Sequence, residues 1–123
     1  LGSCSLEDVA VSVLTTVVGS YPERNAIIFE AGALALSKDS GPDHIDPRFG
    51  YGIVCDEALR PLPMKIHALS QEHGKVFAEQ PLPVGSRLRV IPNHSCLTAA
   101  MFDVYHVVDR GSVVDAWRPV HGW

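Results

Sequence analysis

Met64-Lys65-Ile66-His67-Ala68-Leu69, then Ser70-Gln71-Glu72-His73-Gly74, then Lys75-Val76-Phe77-Ala78-Glu79: two short runs that alternate apolar and polar side chains, joined by five turn-forming residues. Period-2 alternation puts one set of side chains on each face of a strand, so the stretch reads as a β-hairpin, with Gly74 supplying a positive φ at the turn. The same rhythm runs outward in both directions, through Tyr51 to Cys55, Arg87 to Ile91, Val104 to Val108 and Val113 to Trp117. Asp109-Arg110-Gly111 marks a second hairpin between the last two. Upstream, Val9, Val11, Val13 and Val17 alternate with Ala10, Ser12, Thr16 and Val18 as one long half-buried strand ending at a Gly19-Ser20-Tyr21-Pro22 turn. Ala26-Ile27-Ile28-Phe29 reads as a central strand, and Ala33-Leu34-Ala35-Leu36 either continues it or makes one helical turn. Prolines and glycines crowd Ser40 to Gly50, a long loop. The one helix is brief, from Cys96 to Phe102, with Leu97, Ala100 and Met101 on one face and Asn93 or Ser95 as its cap. The expected fold is mainly β, a small barrel or sandwich with one short helix after the His94-Ser95-Cys96 segment.

Composition narrows the function classes. At 123 residues, the chain holds one core and is too short for a complete (β/α)₈ barrel. Hydrophobic residues make up 46% and charged residues 20%, a balance that favours folding over disorder. A net charge of −4, with no basic cluster denser than Arg87-Leu88-Arg89, makes nucleic acid and anionic membranes poor partners. No run approaches the roughly 18 apolar residues a membrane-spanning helix needs. Three widely spaced cysteines, Cys4, Cys55 and Cys96, form no disulfide pattern and suit a reducing, cytoplasmic setting. The chain opens at Leu1, and Gly2-Ser3-Cys4-Ser5 leads directly into a strand, which reads as a segment of something longer.

Pro92-Asn93-His94-Ser95-Cys96 places an imidazole and a thiol two residues apart, between a strand and a helix. On extended backbone, i and i+2 share a face, whereas on a helix they lie about 200° apart, so the two can share a cation only where the chain is not yet helical. Thiolate with imidazole suits Zn²⁺, and two protein ligands leave positions open for water or substrate. The competing reading makes Cys96 a small buried apolar residue and His94 a turn residue. His67 and His106 read as half-exposed residues on strand faces, with His44 in the loop and His121 in the tail. No His-Glu-x-x-His, nucleophile elbow or phosphate-binding glycine loop is present.

Pro92-Asn93-His94-Ser95-Cys96-Leu97-Thr98 resembles the Pro-Asn-His-x-Cys signature of the D-serine dehydratase and D-threonine aldolase family, alanine-racemase-like enzymes of pyridoxal-phosphate fold type III. Other stretches resemble that family in the same order: the Val9 to Val18 strand, Phe29-Glu30-Ala31-Gly32, Ala35-Leu36-Ser37-Lys38-Asp39, Leu69 to Gly74, and Val113 to Trp117. Glu30 stands where many relatives carry aspartate, and Ala33 replaces a polar residue common nearby. A thiolate at the second ligand position, where some aldolases carry a carboxylate, resembles the dehydratase side.

The resemblance implies that residues 1–123 form the C-terminal β domain of a pyridoxal-phosphate- and metal-dependent lyase acting on D-3-hydroxy amino acids. It gives His94 and Cys96 the role of zinc ligands; Tyr51, Glu72 and His73 are secondary candidates for lining the active site or orienting a metal ligand, beside a plain reading as turn and packing residues. It also implies a Schiff-base lysine and most cofactor contacts in an N-terminal barrel absent from this chain, so Lys38, Lys65 and Lys75 take no catalytic role. The isolated domain is then inactive, and the full-length protein a homodimer. Two alternatives stand beside it: a non-catalytic β module for dimerisation or metal binding, and a metal-independent amino-acid racemase relative in which His94 and Cys96 are incidental.

Overall fold

A computed structural model of the chain describes residues 3–122. Six strands close into an antiparallel barrel: β1 (Val13–Tyr21), β2 (Ala26–Phe29), β3 (Ile53–Cys55), β4 (Pro61–Leu69), β5 (Gly74–Ala78) and β6 (Arg87–Ile91). Their order around the wall is β1-β2-β5-β4-β3-β6, with β6 returning to β1. Alternation fills the interior with Val13, Thr15 and Val17 of β1, Ile27 and Phe29 of β2, Val76 and Ala78 of β5, and Leu88 and Val90 of β6, all buried. Their neighbours Leu14, Val18 and Phe77 face outward. Closure leaves no unpaired sheet edge in the wall, so six short strands hold a core that an open sheet of this size would expose.

The first strand is displaced from its sequence expectation. Leu6–Asp8 form a 3-10 turn, Val11 is exposed, and pairing begins at Val13. Nor does the chain turn at Gly19. β1 runs through Gly19 and Ser20 to Tyr21 with a register shift between Val17 and Gly19, and the reversal comes after it, at Pro22–Arg24 and Asn25 (φ 50°). A bulge absorbs the glycine and bends the strand around the barrel instead of ending it. A second register shift, between Ile66 and Ala68, breaks the alternation of β4, so Leu69 is buried and His67 lies on the exposed outer face.

Gly74 also departs from expectation. It is not a positive-φ turn residue but the first residue of β5, buried and paired with Phe29. A Cβ there would lie 2.2 Å from Phe29 Cε2. The ring of Phe29 occupies the space of the missing side chain, and glycine is needed for that close approach rather than for a turn.

Ala33–Leu36 make the single helical turn α1, and Ser95–Ala99 form α2, shorter than the expected Cys96 to Phe102. α2 lies beside α1; Thr98 is its buried residue, while Leu97, Ala100 and Met101 are exposed. A helix of five residues has one inward position, and Thr98 takes it. Outside the barrel, β7 (Tyr105–Asp109) and β8 (Ser112–Trp117) pair as a hairpin, turning at Arg110 (φ 47°) and Gly111 (φ 81°). Positive φ at both central residues matches a two-residue hairpin turn. His106 is exposed on it, and the hydroxyl of Tyr105 ties it to α2 by donating to the Ala99 carbonyl at 2.7 Å.

Gly74→Ala is expected to destabilise the barrel by about 1–3 kcal/mol, the usual range for overpacking. In a Phe29→Leu background most of that increment should vanish, because the obstructing ring is gone. Urea unfolding of the two single variants and the double variant measures both terms, and an unchanged increment would show that the ring is not the obstacle.

Candidate metal centre

The site is built outward from the end of β6. Pro92 is buried, and Asn93 then turns its carboxamide away from the helix it precedes. Its Nδ2 donates to the Gly50 carbonyl at 2.7 Å and, at 3.4 Å, to that of Asp39. Asn93 is therefore not the helix cap. The cap position belongs to His94, which is extended (φ −133°, ψ 90°) and makes no side-chain capping bond. Asn93 instead stitches both ends of the Ser40 to Gly50 loop to the barrel wall. Close fit reinforces the stitch: a Cβ on Gly41 (φ 54°) would lie 2.8 Å from Asn93 Cβ.

The other side of the site comes from α1. Its N-terminal amide groups are satisfied by the β4–β5 turn, Ala33 donating to the Ser70 carbonyl at 2.9 Å and Leu34 to that of Gln71 at 3.1 Å. Gly32 permits this contact, since a Cβ there would lie 2.4 Å from both Gln71 O and His73 N. The helical turn ends at Ser37, held at φ 62° and ψ 170°, a region that costs a non-glycine residue about 1–3 kcal/mol. That kink swings Asp39 back toward the end of β6. Asp39 Oδ1 accepts the Gly41 amide at 2.7 Å, and Oδ2 lies 2.6 Å from His94 Nδ1.

The bond to His94, followed by that from the Gly41 amide, holds the Asp39 carboxyl below its ordinary range. Both side chains remain more than a third exposed, so the pair is worth little as a stability term. Its value is directional. An ionised carboxylate only accepts, so a hydrogen bond between the two is made by a proton on Nδ1, which leaves Nε2 as the ring nitrogen facing away from Asp39.

Cys96 is the second residue of α2 and is exposed, which overturns its reading as a small buried apolar residue. The chain is extended at His94 and helical from Ser95 onward, so the conformational change falls between the two donors. Among the described residues, no three His, Cys, Asp or Glu side chains group as a metal cage. The chemistry of the donor set, one imidazole and one thiol, fits an open zinc site with positions left for further ligands. Cys55, by contrast, is fully buried, and burial pushes its thiol up.

Tyr51 is half-buried against the core and follows Gly50, the residue that Asn93 holds. Glu72 and His73 are exposed at the β4–β5 turn. His73 borders a shallow groove of about 330 Å³ with Gly19, Tyr21, Ile28 and Lys75. The described hydrogen bonds do not join Tyr51, Glu72 or His73 to His94. The residue that sequence reasoning passed over is Asp39: it lies 55 positions from its histidine, and its only signal was its place in the Leu36-Ser37-Lys38-Asp39 stretch.

Exposure sorts the thiols. In the native chain Cys4 and Cys96 should react rapidly with a chromogenic disulfide reagent, while Cys55 reacts only on unfolding. Three fast thiols would contradict the burial of Cys55.

Comparison with known proteins bears on this geometry. Residues 10–108 match the family described as "Putative serine dehydratase domain". The D-serine dehydratase of Dictyostelium discoideum is 42% identical over 134 residues, covering 100% of this chain and 33% of that protein. The solved structure of D-threo-3-hydroxyaspartate dehydratase from Delftia sp. HT23 superposes with a TM-score of 0.89 at 39% identity, over 99% of this chain and 35% of that one. Two further structures of that dehydratase are a histidine-to-alanine variant and a cysteine-to-alanine variant two positions further on, the latter in the metal-free form. A protein of Mycobacterium tuberculosis is 38% identical over 124 residues, which cover 96% of this chain and 87% of its own length. The chain thus spans about a third of the two dehydratases but most of the mycobacterial relative. With the matched segment running from before β1 into β7, the chain belongs to the serine dehydratase domain family.

Proposed function

We propose that this chain is the C-terminal β domain of a pyridoxal-phosphate- and zinc-dependent lyase that removes the β-hydroxyl from D-3-hydroxy amino acids, and that His94 and Cys96 hold its metal. The observation that carries the reading is the exposed His94-Ser95-Cys96 segment with Nδ1 of the histidine already engaged. The histidine and cysteine replaced in the Delftia dehydratase variants have the same spacing. D-serine and D-threo-3-hydroxyaspartate, the substrates named by the two relatives, share a D-configured α-carbon and a hydroxyl on the β-carbon.

When bound, the cation supplies Lewis acidity toward that hydroxyl oxygen, and pyridoxal phosphate supplies the electron sink for the α-carbon. What this chain contributes is placement. His94 and Cys96 are fixed at the end of β6, Asn93 holds the loop beside them, and Tyr51, Glu72 and His73 are assigned to the lining. The Schiff-base lysine and most cofactor contacts belong to an N-terminal barrel in the same polypeptide, the complete enzyme being a homodimer in a reducing, cytoplasmic setting. The domain alone is inactive.

The mycobacterial relative favours a second reading, a free-standing β module that binds a metal or a partner without catalysis, since this domain makes up most of that protein.

Two measurements test the proposal. In the 123-residue chain, Zn²⁺ should protect Cys96 from thiol reagents while Cys4 stays reactive, and His94→Ala should abolish the protection. The complete polypeptide should release keto acid from D-serine and lose at least 100-fold in turnover on verified metal removal, with Zn²⁺ restoring it. Protection without turnover in a polypeptide that carries the barrel and its lysine would favour the non-catalytic module. Unchanged turnover without metal would reject the zinc role.

A further inference from the structure

Asp39 has no place in the reading above except as a neighbour of His94, and its geometry gives it one. We propose that Asp39 is the positioning residue of the metal site, its Oδ2 holding the proton on His94 Nδ1 so that the ring presents an unprotonated Nε2 to the cation. The inference rests on the assignment of His94 and Cys96 as metal ligands.

Four observations converge on it. The Oδ2 to Nδ1 separation of 2.6 Å is that of a short hydrogen bond to a charged acceptor. Asp39 cannot swing away, because its other oxygen accepts the Gly41 amide at 2.7 Å and its own amide donates to Ser37 Oγ at 3.2 Å. The carbonyl of Asp39 faces the Asn93 carboxamide, so both partners are fixed to the same strand end. Ser37 holds an unfavourable backbone conformation immediately upstream, a local cost that aims the segment at the site. Histidines that bind metals through one ring nitrogen usually donate the other N–H to a carboxylate or carbonyl, which fixes the tautomer and ring orientation.

The two carboxylate oxygens have separate tasks, which makes the test selective. In Asp39→Asn, Oδ1 can still accept the Gly41 amide, so the turn survives. The amide nitrogen then faces His94 Nδ1 as a donor, and the ring must answer as an acceptor. The proton moves to Nε2, the atom that would bind metal.

Long-range ¹H–¹⁵N spectra of the metal-free 123-residue chain should show His94 as the Nδ1–H tautomer when its ring is neutral, and as the Nε2–H tautomer in Asp39→Asn. Competition with a chromophoric chelator, using Zn²⁺ alone as the probe, should show affinity falling about 10- to 100-fold in Asp39→Asn. Its metal-free melting temperature should stay near that of the parent chain, a combination that a purely structural role would not produce. Asp39→Ala, which also loses the turn, should lower both affinity and melting temperature. His94→Ala and Cys96→Ala separate the two levels. If they abolish Zn²⁺ binding but Asp39→Asn keeps both the parent tautomer and affinity, Asp39 is not the positioning residue and the metal site stands. If they leave Zn²⁺ binding intact, the ligand assignment itself fails.

Discussion

β6 is paired along both sides, to β1 through Val90 and Leu88 and to β3 through Ile91, Val90 and Arg89. That double pairing closes the barrel, and it also fixes the point from which the chain leaves at Pro92. A strand hydrogen-bonded on both edges cannot slide by one residue without exchanging its inward and outward side chains. Sliding here would expose Leu88 and Val90, so the barrel core sets the starting point of Asn93, His94 and Cys96. The site inherits its position from hydrophobic packing rather than from its own few polar contacts.

From that fixed point, the polar contacts add direction. Asn93 spends its side chain on the Gly50 carbonyl, and the loop from Ser40 to Gly50 is thereby held at its far end. At its near end Asp39 reaches His94, and Gly41 gives the backbone room to pass Asn93. Neither bond is worth much as a stability term, since both sit at a partly exposed surface. Together they make the loop and the motif one unit: displacement of Asp39 or Gly50 is felt by two consecutive residues of the same turn.

Much of this was legible in the sequence because the wall strands carry alternation strong enough to name. Arg87 to Ile91 and Ala26 to Phe29 were read to the residue. The failures have common causes. Of the glycines assigned to turns, Gly111 does turn, but Gly19 and Gly74 lie within strands, one where β1 shifts register and the other where Phe29 crosses the pair. Glycine signals a backbone requirement without saying whether it comes from conformation or from a neighbour's bulk. The face of Leu97, Ala100 and Met101 was read as packed because period alone cannot say which side of a one-turn helix meets the core. The His-x-Cys pair was visible because its members are two residues apart. Asp39 was not, because its pairing with His94 depends on how α1 and β6 are brought together.

A site with two soft donors at an exposed turn is chemically unfinished. A zinc ion held there by one imidazole and one thiolate, as proposed, would have two of its four usual positions left for a water, a substrate atom or a side chain of another element. Exposed apolar residues include Leu97 and Met101 on α2 and, on the outer hairpin, Val113, Val114 and Trp117. Tyr105 ties that hairpin to α2 through the Ala99 carbonyl, so the apolar surface and the donors share one short helix. A partner covering Leu97 and Met101 would exclude water beside Cys96, and exclusion of water strengthens electrostatic contacts made there. On the proposed metal role of His94 and Cys96, covering the apolar residues of α2 and completing the coordination sphere would be one requirement.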